Sequence, residues 1–313
     1  MATYLVTGGA GFIGSHLVHE LVARGQHVRV LDNFTTGRRE NLSAVSDRIT
    51  LYEADISELE EIRPLFPGAD YVIHLAALPS VARSVADPVG TNAVNLGGTL
   101  HVLLASRDAD VKRLVFAASA AAYGDDPMLP RRESHPPNPL SPYALTKLAG
   151  EYYCRIFTRL YHLEAVALRF FNIFGPRQNP ESPYTGVLSK FIDAYLRGTT
   201  PVIFGDGEQS RDFTYVTNVV DAVLLASRAP EAAGKVINVG TGESYTLNQT
   251  IGLLNGIFGQ HVTPRYDPPR PGDVLDSRAD ISLARQVFGY EPTVQFEQGL
   301  RQTVEWYRAQ IRK

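Results

Sequence analysis

The sequence predicts an α/β fold, a doubly wound parallel sheet followed by a smaller C-terminal lobe, and three observations carry that expectation. Short β-branched or apolar runs recur at Tyr4 to Thr7, His27 to Asp32, Ile49 to Ala54, Tyr71 to Leu75, Arg113 to Ala118 and Ala165 to Phe170. Segments of helical periodicity separate them, and that alternation lays the strands parallel with helices on both faces. After Phe171 the rhythm breaks, with Pro/Gly-rich stretches at Gly175 to Pro183, Gly198 to Gly207 and Asp267 to Gly272. Residues 1–171 are therefore expected to build the sheet domain and 172–313 mainly the lobe. Asn218 to Ser227 and Val236 to Val239 are expected to return to the sheet.

Composition narrows the class of function. Of the 313 residues 44% are hydrophobic and 20% charged, which excludes a disordered or fibrous chain. The net charge is −3, and the basic clusters are no longer than the pairs Arg38-Arg39 and Arg131-Arg132, so neither nucleic acid nor an anionic membrane is an expected partner. No apolar run approaches the roughly 18 residues of a membrane span, and the first β-like run already begins at Tyr4, so no signal peptide is expected and the cytoplasm is the default. The single cysteine, Cys154, has no partner for an internal disulfide or a Cys-based metal site and reads as core filler on a helix. His16, His74 and His101 share no ligand-like spacing, so no metal is expected.

The first strand runs directly into Thr7-Gly8-Gly9-Ala10-Gly11-Phe12-Ile13-Gly14, after which Phe12, Ile13, Leu17, Val18, Leu21 and Val22 repeat at helical spacing. Glycines on a strand-to-helix turn let the backbone approach a pyrophosphate and aim the helix N-terminal N–H groups at it. Asp32 ends the next strand, where a carboxylate bonds adenosine ribose hydroxyls and repels a 2′-phosphate. These features mark a Rossmann-type dinucleotide site that favours NAD over NADP. Arg38 and Arg39 argue mildly the other way and read as solvated loop residues.

A second constellation starts a later helix. In Ser141-Pro142-Tyr143-Ala144-Leu145-Thr146-Lys147, Ser141 reads as N-cap and Pro142 as the first helical residue. Tyr143 and Lys147, four apart, then share a face, and an ammonium beside a phenol favours the phenolate. Ser119 follows the strand Arg113 to Ala118, at the strand end where open α/β sheets bind ligands, and its hydroxyl can bond a reacting oxygen.

Gly8 to Gly14, Ser119 and Tyr143-x-x-x-Lys147 together resemble the extended short-chain dehydrogenase/reductase family, in particular its UDP-hexose 4-epimerases, over about Thr3 to Trp306. That resemblance implies NAD contacts from Gly8, Gly11, Phe12, Ile13, Gly14, Asp32, Asn33, Thr36 and Gly37. It adds Asp55 and Ile56 at the adenine edge, Leu75, Ala76 and Ala77 at a strand end, and Tyr143 and Lys147. On the substrate side it implies Ser80, Arg83, Ser119, Tyr143, Asn172, Val187, Leu188, Phe204, Arg211, Arg270, Asp273 and Ser277. Arginines suit a diphosphate.

The resemblance also implies a reaction. Sugar 4,6-dehydratases of this family carry an Asp-Glu pair before a Tyr-Gly dipeptide, whereas this chain reads Ser119-Ala120-Ala121-Ala122-Tyr123-Gly124, which leaves oxidation and reduction at one carbon. Ala76 to Ser84 and Arg177-Gln178-Asn179-Pro180 are most similar to loops of epimerases that accept N-acetylhexosamines, with Pro79 a departure where several have glycine. Ser277 falls where strict UDP-glucose epimerases carry a tyrosine. The expected activity is UDP-GlcNAc/UDP-GalNAc interconversion, with UDP-Glc/UDP-Gal accepted as well. A UDP-glucuronate 4-epimerase using Arg83, a net nucleotide-sugar oxidoreductase and a non-catalytic dinucleotide-binding protein stand as alternatives. Helical segments 91–107 and 142–160 resemble those of a four-helix dimer interface, so a homodimer is expected.

Overall fold

The structure is a computed structural model that describes residues 1–178, 186–269 and 274–311. Six strands form where the apolar runs stand: β1 (Thr3–Thr7), β2 (His27–Asp32), β3 (Ile49–Glu53), β4 (Tyr71–His74), β5 (Arg113–Ser119) and β6 (Glu164–Phe170). Val236–Val239 joins them as a seventh, beside β6. From that edge strand the order runs β6, β5, β4, β1, β2, β3, and every pairing is parallel. The chain leaves β1 towards β2 and β3, then resumes on the other side of β1 at β4. That reversal makes the C-terminal ends of β1 and β4 a switch point, and the crevice at such a point is where open α/β sheets bind ligands.

Side-chain alternation explains the two faces. Tyr4 and Val6 of β1 pack with Leu17, Val18 and Leu21 of the first helix, α1 (Phe12–Ala23), whereas Leu5 faces the opposite layer with Leu114, Phe116, Leu103 and Cys154. The helices of that opposite layer include Gly98–Asp108 and Pro142–Tyr161. Cys154 is fully buried on the second of these.

Asn218 to Ser227 is no strand of the sheet but lies within a helix. Val216–Arg228 packs on β5 and β6 with Val219, Val220, Val223 and Leu224 buried. Its β-branched residues suit a strand by propensity, but their spacing matches a helical face and burial decides. The expected helix 91–107 is also interrupted, because Ala93–Gly97 is one turn of π-helix between Pro88–Asn92 and Gly98–Asp108. Among the described residues no helix is long and apolar enough to cross a membrane, and no three His, Cys, Asp or Glu side chains gather as a metal would need.

Beyond the sheet, helices Val187–Arg197, Leu247–Phe258 and Phe296–Ile311 enclose a third apolar cluster. Phe296 stacks on Phe213 at 4.9 Å and meets Phe174 edge-on at 5.4 Å. Three short segments of this region are tied together by one carboxylate. Asp212, fully buried, accepts hydrogen bonds from the Thr241 N–H (2.8 Å) and hydroxyl (2.7 Å), the Gly242 N–H (3.0 Å) and the Ala279 N–H (3.0 Å). Asp212→Asn keeps the volume and turns one of the two acceptor oxygens into an NH2 that faces two donors. Its unfolding free energy by urea titration should fall by roughly 1–3 kcal/mol, and an unchanged midpoint would contradict this account.

Candidate active site

The crevice is built around a turn that admits no side chain. At Gly8, where φ is +70°, a Cβ would lie 2.7 Å from the Ala76 nitrogen, and at Gly14 it would lie 2.1 Å from the Gly8 carbonyl oxygen. Glycine at these two positions lets β1 turn into α1 while β4 passes against it. The N-cap of α1 is Gly11, which offers no side-chain acceptor, so the first N–H groups of Phe12, Ile13 and Gly14 are left to meet an anion at the positive end of the helix.

Asp32 braces this turn from β2. Its carboxylate accepts from Ala10 N–H and Phe34 N–H, each at 2.9 Å. Burial raises its carboxyl above the usual value, opposed by those bonds. Each oxygen keeps a further lone pair for a ribose hydroxyl. Gly37 folds over it so closely that a Cβ would stand 2.7 Å from Asp32 Oδ1. Asn33 donates to Asp55 Oδ2 at 2.7 Å, Ile56 is buried, and Thr36 is exposed beside Gly37. Leu75 N–H donates to the Thr7 carbonyl at 3.1 Å and Ala76 N–H to the Thr7 hydroxyl at 3.3 Å, with Ala77 half-buried behind them. Arg39 pairs with Glu53 and lies 4.0 Å over the Phe34 ring. These residues fit a dinucleotide: a cradle without Cβ atoms, a helix N-terminus and a carboxylate converge.

Ser119, Tyr143 and Lys147 come together at the end of β5. Ser141 caps the next helix, its hydroxyl accepting from Ala144 N–H at 3.1 Å, with Pro142 following at the first helical position. That helix is anchored to β6 by a buried bidentate pair, Arg169 to Glu151 at 2.8 and 2.7 Å. Lys147 is buried, donates to the Ala117 carbonyl at 2.8 Å and lies 5.0 Å over the Phe116 ring. Burial brings its ammonium down to about 8. The phenol departs from the sequence expectation. Burial pushes Tyr143 above its ordinary value, the Ser119 hydroxyl hydrogen-bonded to it works the other way, and the Lys147 ammonium is engaged by a backbone carbonyl instead. Desolvation here outweighs the charge that chain spacing alone suggested.

A cavity of about 270 Å³ opens on the lobe side. Asn172, Val187, Leu188, Phe204 and Arg211 line it, as do Phe213 and Gln178, the latter from a stretch that resembles a substrate loop, and also Gln209 and Leu247, which the sequence did not single out. Gln209 stands in a loop just before a two-residue strand and Leu247 opens the helix Leu247–Phe258, so only the fold brings these two to the cavity. Ser277 pairs with Arg211 across parallel strands, and its hydroxyl lies 3.5 Å from Asn172 Nδ2. Ser80 and Arg83 do not line this cavity. The Ser80 hydroxyl accepts from Arg83 N–H at 3.0 Å and caps the helix Val81–Ala86. Arg270 and Asp273 fall outside the described residues, as do Asn179-Pro180 and Pro271-Gly272.

Known proteins share this architecture throughout. The UDP-glucose 4-epimerase of Mycolicibacterium smegmatis is 41% identical over 313 residues, covering 97% of this chain and 98% of its own. Two solved structures each cover 99% of both chains. One is a UDP-glucose 4-epimerase of Thermotoga maritima with UDP-glucose, at 41% identity and a TM-score of 0.94. The other is a UDP-N-acetylglucosamine 4-epimerase of Methanobrevibacter ruminantium with UDP-N-acetylmuramic acid, at 40% and 0.95. A model of the NAD dependent epimerase/dehydratase family matches residues 4–240, from β1 to just past the seventh strand, and with the glycine cradle and Asp32 inside that span the chain belongs to this NAD-dependent family.

Proposed function

We propose that this protein is a 4-epimerase of UDP-hexoses that works through a transient 4-keto sugar, with UDP-GlcNAc/UDP-GalNAc as preferred pair and UDP-Glc/UDP-Gal also accepted. One observation carries the reading: Ser119, Tyr143 and Lys147 converge at the end of β5 while the adjoining turn is only alanine, Ala120 to Ala122. That set moves a proton at one hydroxyl. It offers no second acid for eliminating water.

In this mechanism Tyr143 takes the C4 hydroxyl proton and later returns it, and Ser119 hydrogen-bonds the same oxygen. When bound, NAD supplies a hydride acceptor that becomes the donor to the other face, together with a ring charge that favours the phenolate. Lys147, charged below about pH 8, keeps a cation on the crevice floor. Gly8, Gly11, Phe12, Ile13, Gly14, Asp32, Asn33, Thr36, Gly37, Asp55, Ile56, Leu75, Ala76 and Ala77 hold the dinucleotide in this reading. Asn172, Val187, Leu188, Phe204 and Arg211 hold the UDP. Arginine at the diphosphate and an apolar wall at the base fix the nucleotide firmly while the hexose turns over.

The N-acetyl preference rests on Ser277. A small side chain beside Asn172 leaves volume for an acetamido group that a tyrosine would fill. A homodimer is part of the same proposal, supported by Leu145, Tyr152 and Ile156, exposed on one stripe of the Pro142–Tyr161 helix, and by Val85 and Val89 nearby.

Purified protein incubated separately with UDP-GlcNAc, UDP-Glc and UDP-GlcA, followed by NMR of the anomeric and C4 protons, should convert the first fastest. Tyr143→Phe should retain NAD and convert none. Conversion of UDP-GlcA alone would remove the N-acetyl preference, and wild-type turnover by Tyr143→Phe would remove the mechanism. Sedimentation equilibrium should give a dimer that Ile156→Glu shifts to monomer, and a monomeric wild type would refute the interface.

A further inference from the structure

A chain of buried polar groups runs beneath the crevice, and the proposed mechanism makes no use of it. Thr7, His74, Asn95, Thr99 and Thr146 are each 3% exposed or less. Buried polar groups of this kind persist only where every partner is met. His74, the last residue of β4, lies with Nδ1 2.8 Å from the Thr7 hydroxyl and Nε2 3.0 Å from the Thr99 hydroxyl. Thr99 donates to the Asn95 carbonyl at 2.5 Å, so its one proton is committed and its oxygen must accept from His74. The ring therefore carries its hydrogen on Nε2, and the bare Nδ1 accepts from Thr7. Thr7 in turn accepts from Ala76 N–H at 3.3 Å.

The polarity is thus fixed from end to end, and the ends matter. At one end stand Thr7 and Ala76, the backbone that presses against Gly8. At the other, Asn95 in the π-turn accepts from Leu78 N–H at 2.7 Å and donates to the Leu78 carbonyl at 3.2 Å. Its amide lies 3.4 Å from the Thr146 hydroxyl, which donates to the Tyr143 carbonyl at 2.8 Å. Asn95 makes these contacts from within the π-turn Ala93–Gly97.

We propose that His74 is a positioning residue: as the neutral Nε2–H tautomer it joins the glycine turn to the π-turn and so holds the dinucleotide cradle in register with the helix that carries Tyr143. Only a group that accepts on one side and donates on the other completes this chain, and an imidazolium, donating on both, would break it at Thr7. Burial drives the His74 imidazolium down to about 3, with the charge of Lys147 adding to the effect, so the ring is neutral across the working range. Its ring also packs against Phe116 at 5.6 Å, the same aromatic that lies under Lys147.

The effect on turnover rests on the epimerase reading, whereas the effect on NAD retention does not. In the NAD-bound enzyme labelled with 15N-histidine, His74 should show an Nε2–H ring pattern unchanged down to pH 5, and an Nδ1–H pattern overturns the proposal. His74→Phe and Thr99→Val should each lower kcat on the order of 100-fold, as misplacement of a reacting group does, with the UDP-sugar KM changed less than about threefold and NAD lost faster. The double variant should be no worse than either single one, because both cut the same chain. His74→Gln, which has both a donor and an acceptor, should recover part of the loss. If His74→Phe fails to fold, Thr7→Val and Thr99→Val carry the same comparison. Variants with wild-type kcat and NAD retention overturn the role of His74, whereas a wild type that epimerises no UDP-hexose overturns the activity and leaves NAD retention to decide.

Discussion

No side-chain carbon fits at Gly8 or Gly14, and the site depends on that closeness. Because β1 can turn into α1 directly against the end of β4, the helix N-terminus, Asp32 and Ala76 all face one crevice. The reversal of strand order places that crevice where two neighbouring connections diverge. Ser119 and the start of the Pro142–Tyr161 helix then meet at its floor, since β5 lies next to β4 with parallel register. A Cβ at either glycine would part the strand from the helix and move the glycine turn away from Ser119 and Tyr143.

The rest of the molecule supports that junction from two sides. Arg169 and Glu151 fix the Tyr143 helix to β6 with both charges buried, an arrangement that requires bidentate geometry because an unpaired charge there would be costly. Asp212 ties the strand carrying Arg211 to the segment around Ala279 and to the loop at Thr241, so three segments of the lobe meet on one side chain. Such anchoring suits a reaction in which a nucleotide stays held while the sugar presents each face in turn.

Much of this was legible in the sequence for simple reasons. Buried parallel strands read as continuous apolar runs, and the Gly8 to Gly14 turn, Asp32 and the Tyr143/Lys147 spacing are local patterns that survive without knowledge of the fold. What stayed hidden depends on tertiary surroundings. Val219, Val220 and Val223 favour a strand by type yet lie on a helix packed between two layers. The π-turn at Asn95 has no sequence signature, and its meaning emerges only when Leu78 and Thr99 are beside it. Gln209 and Leu247 reach the cavity from separate segments. The raised Tyr143 phenol reflects burial, a quantity that residue spacing does not encode.

In the proposed epimerisation one hydride leaves C4 of the sugar and returns to it within the site. A UDP-hexose carrying deuterium at C4, incubated with the enzyme in ordinary water until both epimers are present, tests it most directly. Deuterium should stay at C4 in the product, and unlabelled substrate in D2O should gain none there. Loss of the label to water, or its uptake from D2O, would contradict a hydride cycle and point to proton abstraction from carbon instead.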